Sequence, residues 1–170
     1  MKHLLLFLGL GVIALTSCKK TQVDDNQDQR IGFPTNIIPE YNITLERITN
    51  LNNQTTVLWK IVNPKPSTTP DLKGWSLVLS DETIGNNIIE AYHGTDPKNL
   101  SQSPASYKAV PGSCYTGKAL SFNFGTNGGT PSYYLVVFKG NYGQGISFAV
   151  TESTVKDDCT KRKIPGIGDF

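Results

Sequence analysis

TTVLWKIVN, residues 55–63, decides the fold. Val57, Trp59 and Ile61 occupy every second position, and Pro64 with Pro66 ends the run. A two-residue period gathers these side chains on one face of an extended strand, whereas a helix would scatter them around its axis. Working outward, the same period returns in Trp75, Leu77 and Leu79 within 74–79, and in Leu120, Phe122 and Phe124 within 118–124. It returns again in Ile146, Phe148 and Val150 within 145–152, and 42–48 (NITLERI) starts the same way. Residues 87–93 make a further strand, followed by a Ser-, Pro- and Asn-rich loop over 94–104. SYYLVVFK, residues 132–139, is apolar at both parities and predicts a central strand covered from both sides. Trp59 and Trp75 share parity with aliphatic neighbours and are expected in the core.

Seven or eight short strands separated by Gly, Pro and Asn predict an all-β chain, an antiparallel β-sandwich of immunoglobulin-like kind. A parallel sheet needs crossover helices, and no stretch carries a helical period of useful length. An up-and-down barrel with a ligand cavity stays open as the alternative.

The N-terminal residues speak about location. Met1-Lys2-His3 is a short basic start, residues 4–15 are apolar, and Leu15-Thr16-Ser17-Cys18 closes the segment. That run is too short to cross ~30 Å of hydrocarbon but suits the core of a signal peptide. The closing residues resemble the bacterial lipobox, in which the cysteine is lipidated and becomes the first residue. The expected organisation is a signal peptide over 1–17, lipidated Cys18 with a flexible linker over 18–39, and a sandwich over 40–170. Lys19 in place of an aspartate resembles a signal for leaving the inner membrane. Asp24-Asp25 resembles the surface-export signal of Bacteroidota lipoproteins. Outer-membrane anchoring, by palmitate and its companion chains at about 0.8 kcal/mol per buried methylene, is therefore expected, with the cell surface as its outward option.

Sixteen basic residues against 14 acidic ones, scattered along the chain, give no nucleic-acid-binding face. The one dense basic run, Lys161-Arg162-Lys163, is expected to be a solvated turn. Once lipidation takes Cys18, Cys114 and Cys159 remain, and two thiols in an exported protein are expected to pair. Such a bridge is worth roughly 3–4 kcal/mol by loop entropy.

Several motifs follow one another in a recognisable order. Thr55-Thr56-Val57-Leu58-Trp59 is followed by Leu72-Lys73-Gly74-Trp75-Ser76-Leu77-Val78-Leu79. Phe122-Asn123-Phe124-Gly125 and Val137-Phe138-Lys139-Gly140-Asn141-Tyr142 come later. Over residues 53–150 this resembles a family of bacterial surface β-sandwich domains with a tryptophan strand and an L-x-x-W-x-L-x-L strand. Gly74 departs from the pattern, standing where that family carries a histidine. The resemblance implies a surface module without assigned catalysis.

Chemistry has few candidates. His93 is the only histidine after the signal segment, with Asp96 near it, and no G-x-S-x-G elbow supplies a nucleophile. Metal and other cofactors are not expected, because neither spaced ligands nor an EF-hand loop is present. Glu40, Glu46, Asp81, Glu82, Glu90 and Glu152 are expected on solvated faces. The glycine-rich 125–130 stretch lacks a phosphate loop's lysine and helix. Tyr107, Tyr115 and Tyr142 lie beside glycines or in Ser/Pro-rich connections, where flat rings would anchor a partner at one end of the sandwich. The functional expectation is a non-catalytic, lipid-anchored envelope subunit that binds a protein, with a carbohydrate-binding module as the alternative. The C-terminal IPGIGDF is expected to pack across the sandwich.

Overall fold

The computed structural model describes residues 41–110, 115–154 and 159–168. Cys18, the 1–39 signal and linker, Glu40, and Cys114 lie outside the described residues. Ten strands and one short helix follow in chain order: β1 Asn42–Leu51, β2 Gln54–Val62, β3 Leu72–Leu79, α1 Glu82–Asn86, β4 Ile88–Asp96, β5 Asn99–Ser103, β6 Tyr107–Val110, β7 Gly117–Phe122, β8 Ser132–Lys139, β9 Gly143–Ser153 and β10 Cys159–Gly168. They form two five-stranded antiparallel sheets, β1-β2-β8-β4-β5 (sheet I) and β10-β9-β3-β7-β6 (sheet II).

The sandwich is as expected, but it has ten strands where seven or eight were predicted. The three strands outside the seven segments read from sequence lie where turn chemistry hides the period. The 94–104 loop contains β5, folded back on β4 as a hairpin. β6 is a four-residue edge strand on β7. The basic run is not a turn: Lys161, Arg162 and Lys163 sit within β10, paired with Val150, Ala149 and Phe148 of β9. β10 is an edge strand, the place where Pro165 is tolerated for lack of an N–H and where charges discourage pairing with another chain. Its Ile164 and Ile167 are buried, so this part of the tail packs onto the core.

Between the sheets lies an aromatic centre. Trp75 of β3 stacks on Phe122 of β7 at 5.5 Å and meets Tyr134 of β8 edge-on at 5.2 Å. Trp59 of β2 stands 6.3 Å from Trp75 at a steep angle and donates its indole N–H to Pro165 O at 2.9 Å. Both tryptophans are buried, as their parity required. Burial raises the Tyr134 phenol well above its ordinary pKa, and its hydroxyl donates to Phe124 O at 2.7 Å. Aromatic pairs in such offset and edge-on geometries add about 0.5–1.5 kcal/mol beyond the area they bury.

The shared motifs have local physical reasons. A Cβ at position 74 would lie 2.6 Å from the Phe122 carbonyl oxygen, so a side chain there would force the neighbouring backbone to shift. Thr55 is fully buried; its hydroxyl lies 2.8 Å from Gly140 O and accepts from Tyr142 N at 2.9 Å. The threonine-tryptophan strand and the Lys-Gly-Asn-Tyr turn thus hold one another.

The 132–139 strand needs a correction. It is the middle strand of sheet I, but Ser132, Tyr134, Val136 and Phe138 are buried while Tyr133, Leu135 and Val137 are half-buried. One face meets the core. No second layer of described residues lies over the other.

Candidate functional site

The three tyrosines gather around α1, but as seals and not as displayed anchors. Tyr107, at the start of β6, lays its half-buried ring against Gly85 and accepts from Leu79 N at 3.3 Å. Burial raises its phenol pKa, and Tyr115 and Glu82 are close enough to add to that rise. Tyr115 is half-buried and donates to Lys118 O at 3.4 Å. The expected exposure of Tyr142 is corrected: it is 7% exposed, ring edge-on to Phe138, with its hydroxyl accepting from Asn87 Nδ2 at 2.8 Å. Glycine on either side of a tyrosine signals a turn, yet a turn at a sandwich end points inward as readily as outward.

His93 finds a partner that the sequence did not suggest. Its Nδ1 is hydrogen-bonded to Ser103 Oγ, and its ring stacks on Phe124 at 4.4 Å. Burial lowers its pKa. Ser103 lies in β5, across from Ala91, so the hairpin turns it to the same face as His93. No local signal marks it, because the pairing exists only once residues 94–104 fold back. Asp96 is not brought to His93; it accepts from Lys98 N at 2.9 Å in the hairpin turn. Ser103 is 7% exposed, which suits a polar pair closing the sandwich edge better than an open nucleophile.

The carboxylates are engaged one by one. Asp81 caps α1, and hydrogen bonding from Thr83 lowers its pKa. Glu82 pairs with Lys118 at 2.8 Å, an exposed bridge. Glu90 accepts from the Tyr92 hydroxyl at 2.7 Å, and Glu46 from Thr44 at 3.0 Å. Among the described residues, no three His, Cys, Asp or Glu side chains converge as a metal site.

The outer face of sheet I is the candidate surface for recognition. The register aligns Arg47, Leu58, Leu135, Tyr92 and Gln102 in one row across all five strands. Alternation directs them away from the core, and none belongs to the core cluster. Leu58 is 7% exposed, sheltered within the face by its neighbours, while Leu135 and Tyr92 are half-buried. A second row runs Lys60, Tyr133 and Gly94, and a third Thr56, Val137 and Glu90. Ile89, beside the β4 bulge, is 44% exposed. The centre is apolar and aromatic; the first and third rows end on polar or charged residues, and the second on Lys60 and Gly94. Such a patch with a hydrogen-bonding rim is the usual composition of a recognition surface.

The corresponding face of sheet II is covered. Val78, Ala119 and Val150 form a small buried cluster under Tyr115, Phe148 and Cys159. The Lys161 ammonium lies 4.9 Å from the Tyr115 ring centre and 5.0 Å from that of Phe148. Comparison with protein families, with curated proteins and with solved structures returned no match.

Proposed function

We propose that this protein is a non-catalytic, lipid-anchored subunit of a bacterial envelope assembly, and that the outer face of sheet I is where it binds a partner protein. The observation that carries the reading is the Arg47–Leu58–Leu135–Tyr92–Gln102 row, an apolar centre between two hydrogen-bonding ends. Fully burying a leucine or an aromatic side chain against a partner contributes about 1.5–3 kcal/mol. With 16 basic and 14 acidic residues, long-range attraction adds little, so binding should depend weakly on salt. The anchor rests on the apolar 4–15 run followed by Leu15-Thr16-Ser17-Cys18, which also supports the outer membrane as its location.

A disulfide between Cys114 and Cys159 belongs to the same proposal. Tyr115, which follows Cys114 in the sequence, packs with Cys159 in one cluster, and that supports the pairing. No cofactor enters this reading.

One observation favours the carbohydrate alternative. Tyr92 and Tyr133 lie on neighbouring strands of the same face. Two phenol rings on a flat sheet suit stacking on sugar rings. Affinity isolation of the anchored protein from its own envelope separates the readings. Under the first, a co-purifying protein is retained by wild type and lost with Leu135→Asp, while Tyr133→Ala changes little. Retention on immobilised polysaccharide, abolished by Tyr92→Ala and Tyr133→Ala, supports the second. Binding of either kind that survives all three substitutions removes this face from consideration.

A further inference from the structure

The chain contains a single Asn-Gly pair, Asn127-Gly128, in the 123–131 connection from β7 of sheet II to β8 of sheet I. Asparagine is among the thermolabile residues. Before glycine it is chemically exposed: the following nitrogen attacks the side-chain carbonyl carbon, and no Cβ hinders the five-membered ring. In that step an N–C bond forms and the bond from the carbon to the amide nitrogen breaks. Ammonia leaves with the proton given up by the backbone nitrogen. Water then opens the succinimide at either carbonyl, leaving aspartate or isoaspartate.

The surroundings act on each requirement of this reaction. Asn127 is exposed, and nothing lies within 4 Å of where a Gly128 Cβ would be, so space does not prevent it. What opposes it is Asp71. Gly128 N donates to Asp71 Oδ1 at 2.8 Å, and the Thr126 hydroxyl donates to the same oxygen at 3.3 Å. Thr126 is itself fixed, accepting from Leu72 N at 2.9 Å and donating its own N–H to Leu72 O at 3.0 Å. Gly128 has a φ of +56°, and Thr130 N returns to Asn127 O at 3.2 Å. The attacking nitrogen is therefore turned toward a carboxylate. It must also lose its proton beside a negative charge that favours keeping it.

We propose that Asn127 is a site of spontaneous deamidation, and that the Asp71 carboxylate is the latch that holds the reaction back. Once reacted, position 127 carries a carboxylate next to the nitrogen that Asp71 holds, and like charges in that space repel. Isoaspartate also adds a backbone atom to a tight loop. Both products loosen the connection that joins the two sheets.

The test is to incubate the folded full-length protein under mildly alkaline conditions and follow Asn127 by peptide mass and isoaspartate content. A peptide spanning 122–132 gives the unrestrained rate. Wild type should react well below the peptide. Asp71→Ala should react about tenfold faster than wild type, since one charged hydrogen bond is worth about that factor. Asp71→Asn, which keeps an acceptor without the charge, should fall between them. Thr126→Ala separates the latch from general loosening and should accelerate the reaction less than Asp71→Ala. Should Asp71→Ala fail to fold, Asp71→Asn with unchanged near-ultraviolet circular dichroism decides. Wild type reacting as fast as the peptide overturns the proposal. So do Asp71 variants that fold and react at the wild-type rate, or Thr126→Ala matching Asp71→Ala.

Discussion

The two outer faces of the sandwich arise from the same strand period and meet different ends. On sheet II, Val78 and Val150 are 6% and 5% exposed, with Tyr115, Phe148 and Cys159 packed against them and the Lys161 ammonium above the two rings. On sheet I, Leu135 and Val137 are half-buried and Ile89 is 44% exposed, while Leu58 at 7% is as closed as Val78. Alternation alone makes each sheet two-sided. Whether the second side becomes a minor core or stays half-open depends on where a distant stretch of chain comes to rest.

The strongest test of this contrast places a carboxylate on each face. Val78→Asp buries an unpaired charge and should lower stability by about 3 kcal/mol or more, read as a shift in the denaturant midpoint. Leu135→Asp on the half-open face should cost only about 1 kcal/mol. Equal losses would mean that the two faces are equally closed.

Cys159→Ser tests what holds the cover. If the bridge to Cys114 exists, its loss should cost roughly 3 kcal/mol and expose the Val78–Val150 cluster to a hydrophobic dye. Thiol labelling of denatured, non-reduced wild type should find both cysteines unreactive. A smaller effect belongs to Lys161→Ala, which removes the cation above two rings and should cost about 0.5–1 kcal/mol at this partly exposed site.

The edge of sheet I supplies the mildest test. Burial lowers the His93 pKa, so below the unfolded-state value of about 6.5 the unfolded chain takes up protons more readily than the folded one. The His93 contribution is intact above that pH and falls away as pH drops toward the folded-state pKa. Thermal scans across this window should show a decline that His93→Gln flattens. A decline of the same slope in the variant would assign the effect to other groups.

Much of the architecture was legible because the central strands have no choice of register. Trp59, Trp75, Leu77, Phe122 and their neighbours alternate cleanly, and a one-residue slip would put each of them in water. Three of the four edge strands were not legible, for the converse reason. β5, β6 and β10 are short, or carry Pro165, Gly166 and three consecutive cations, since an edge tolerates and even favours what a central strand forbids. Tyr107, Tyr115 and Tyr142 come together around α1, but local composition does not say which way a ring at a turn will face. The His93–Ser103 pair was invisible because its members meet only through a hairpin.

By itself, the order of residues determined the strand period and so the all-β sandwich, because those depend on neighbours one and two positions away. In β9 the period did not choose the side, since Ile146, Phe148 and Val150 face outward and Ala149 faces the core. Only the tertiary structure decided that Tyr115 and Lys161 close one outer face, that Leu58 and Leu135 stay on the other, and that Asp71 reaches Gly128. Each of these is a contact between residues far apart in the chain. Its formation depends on the path of the intervening loops, which no local pattern of hydrophobicity encodes.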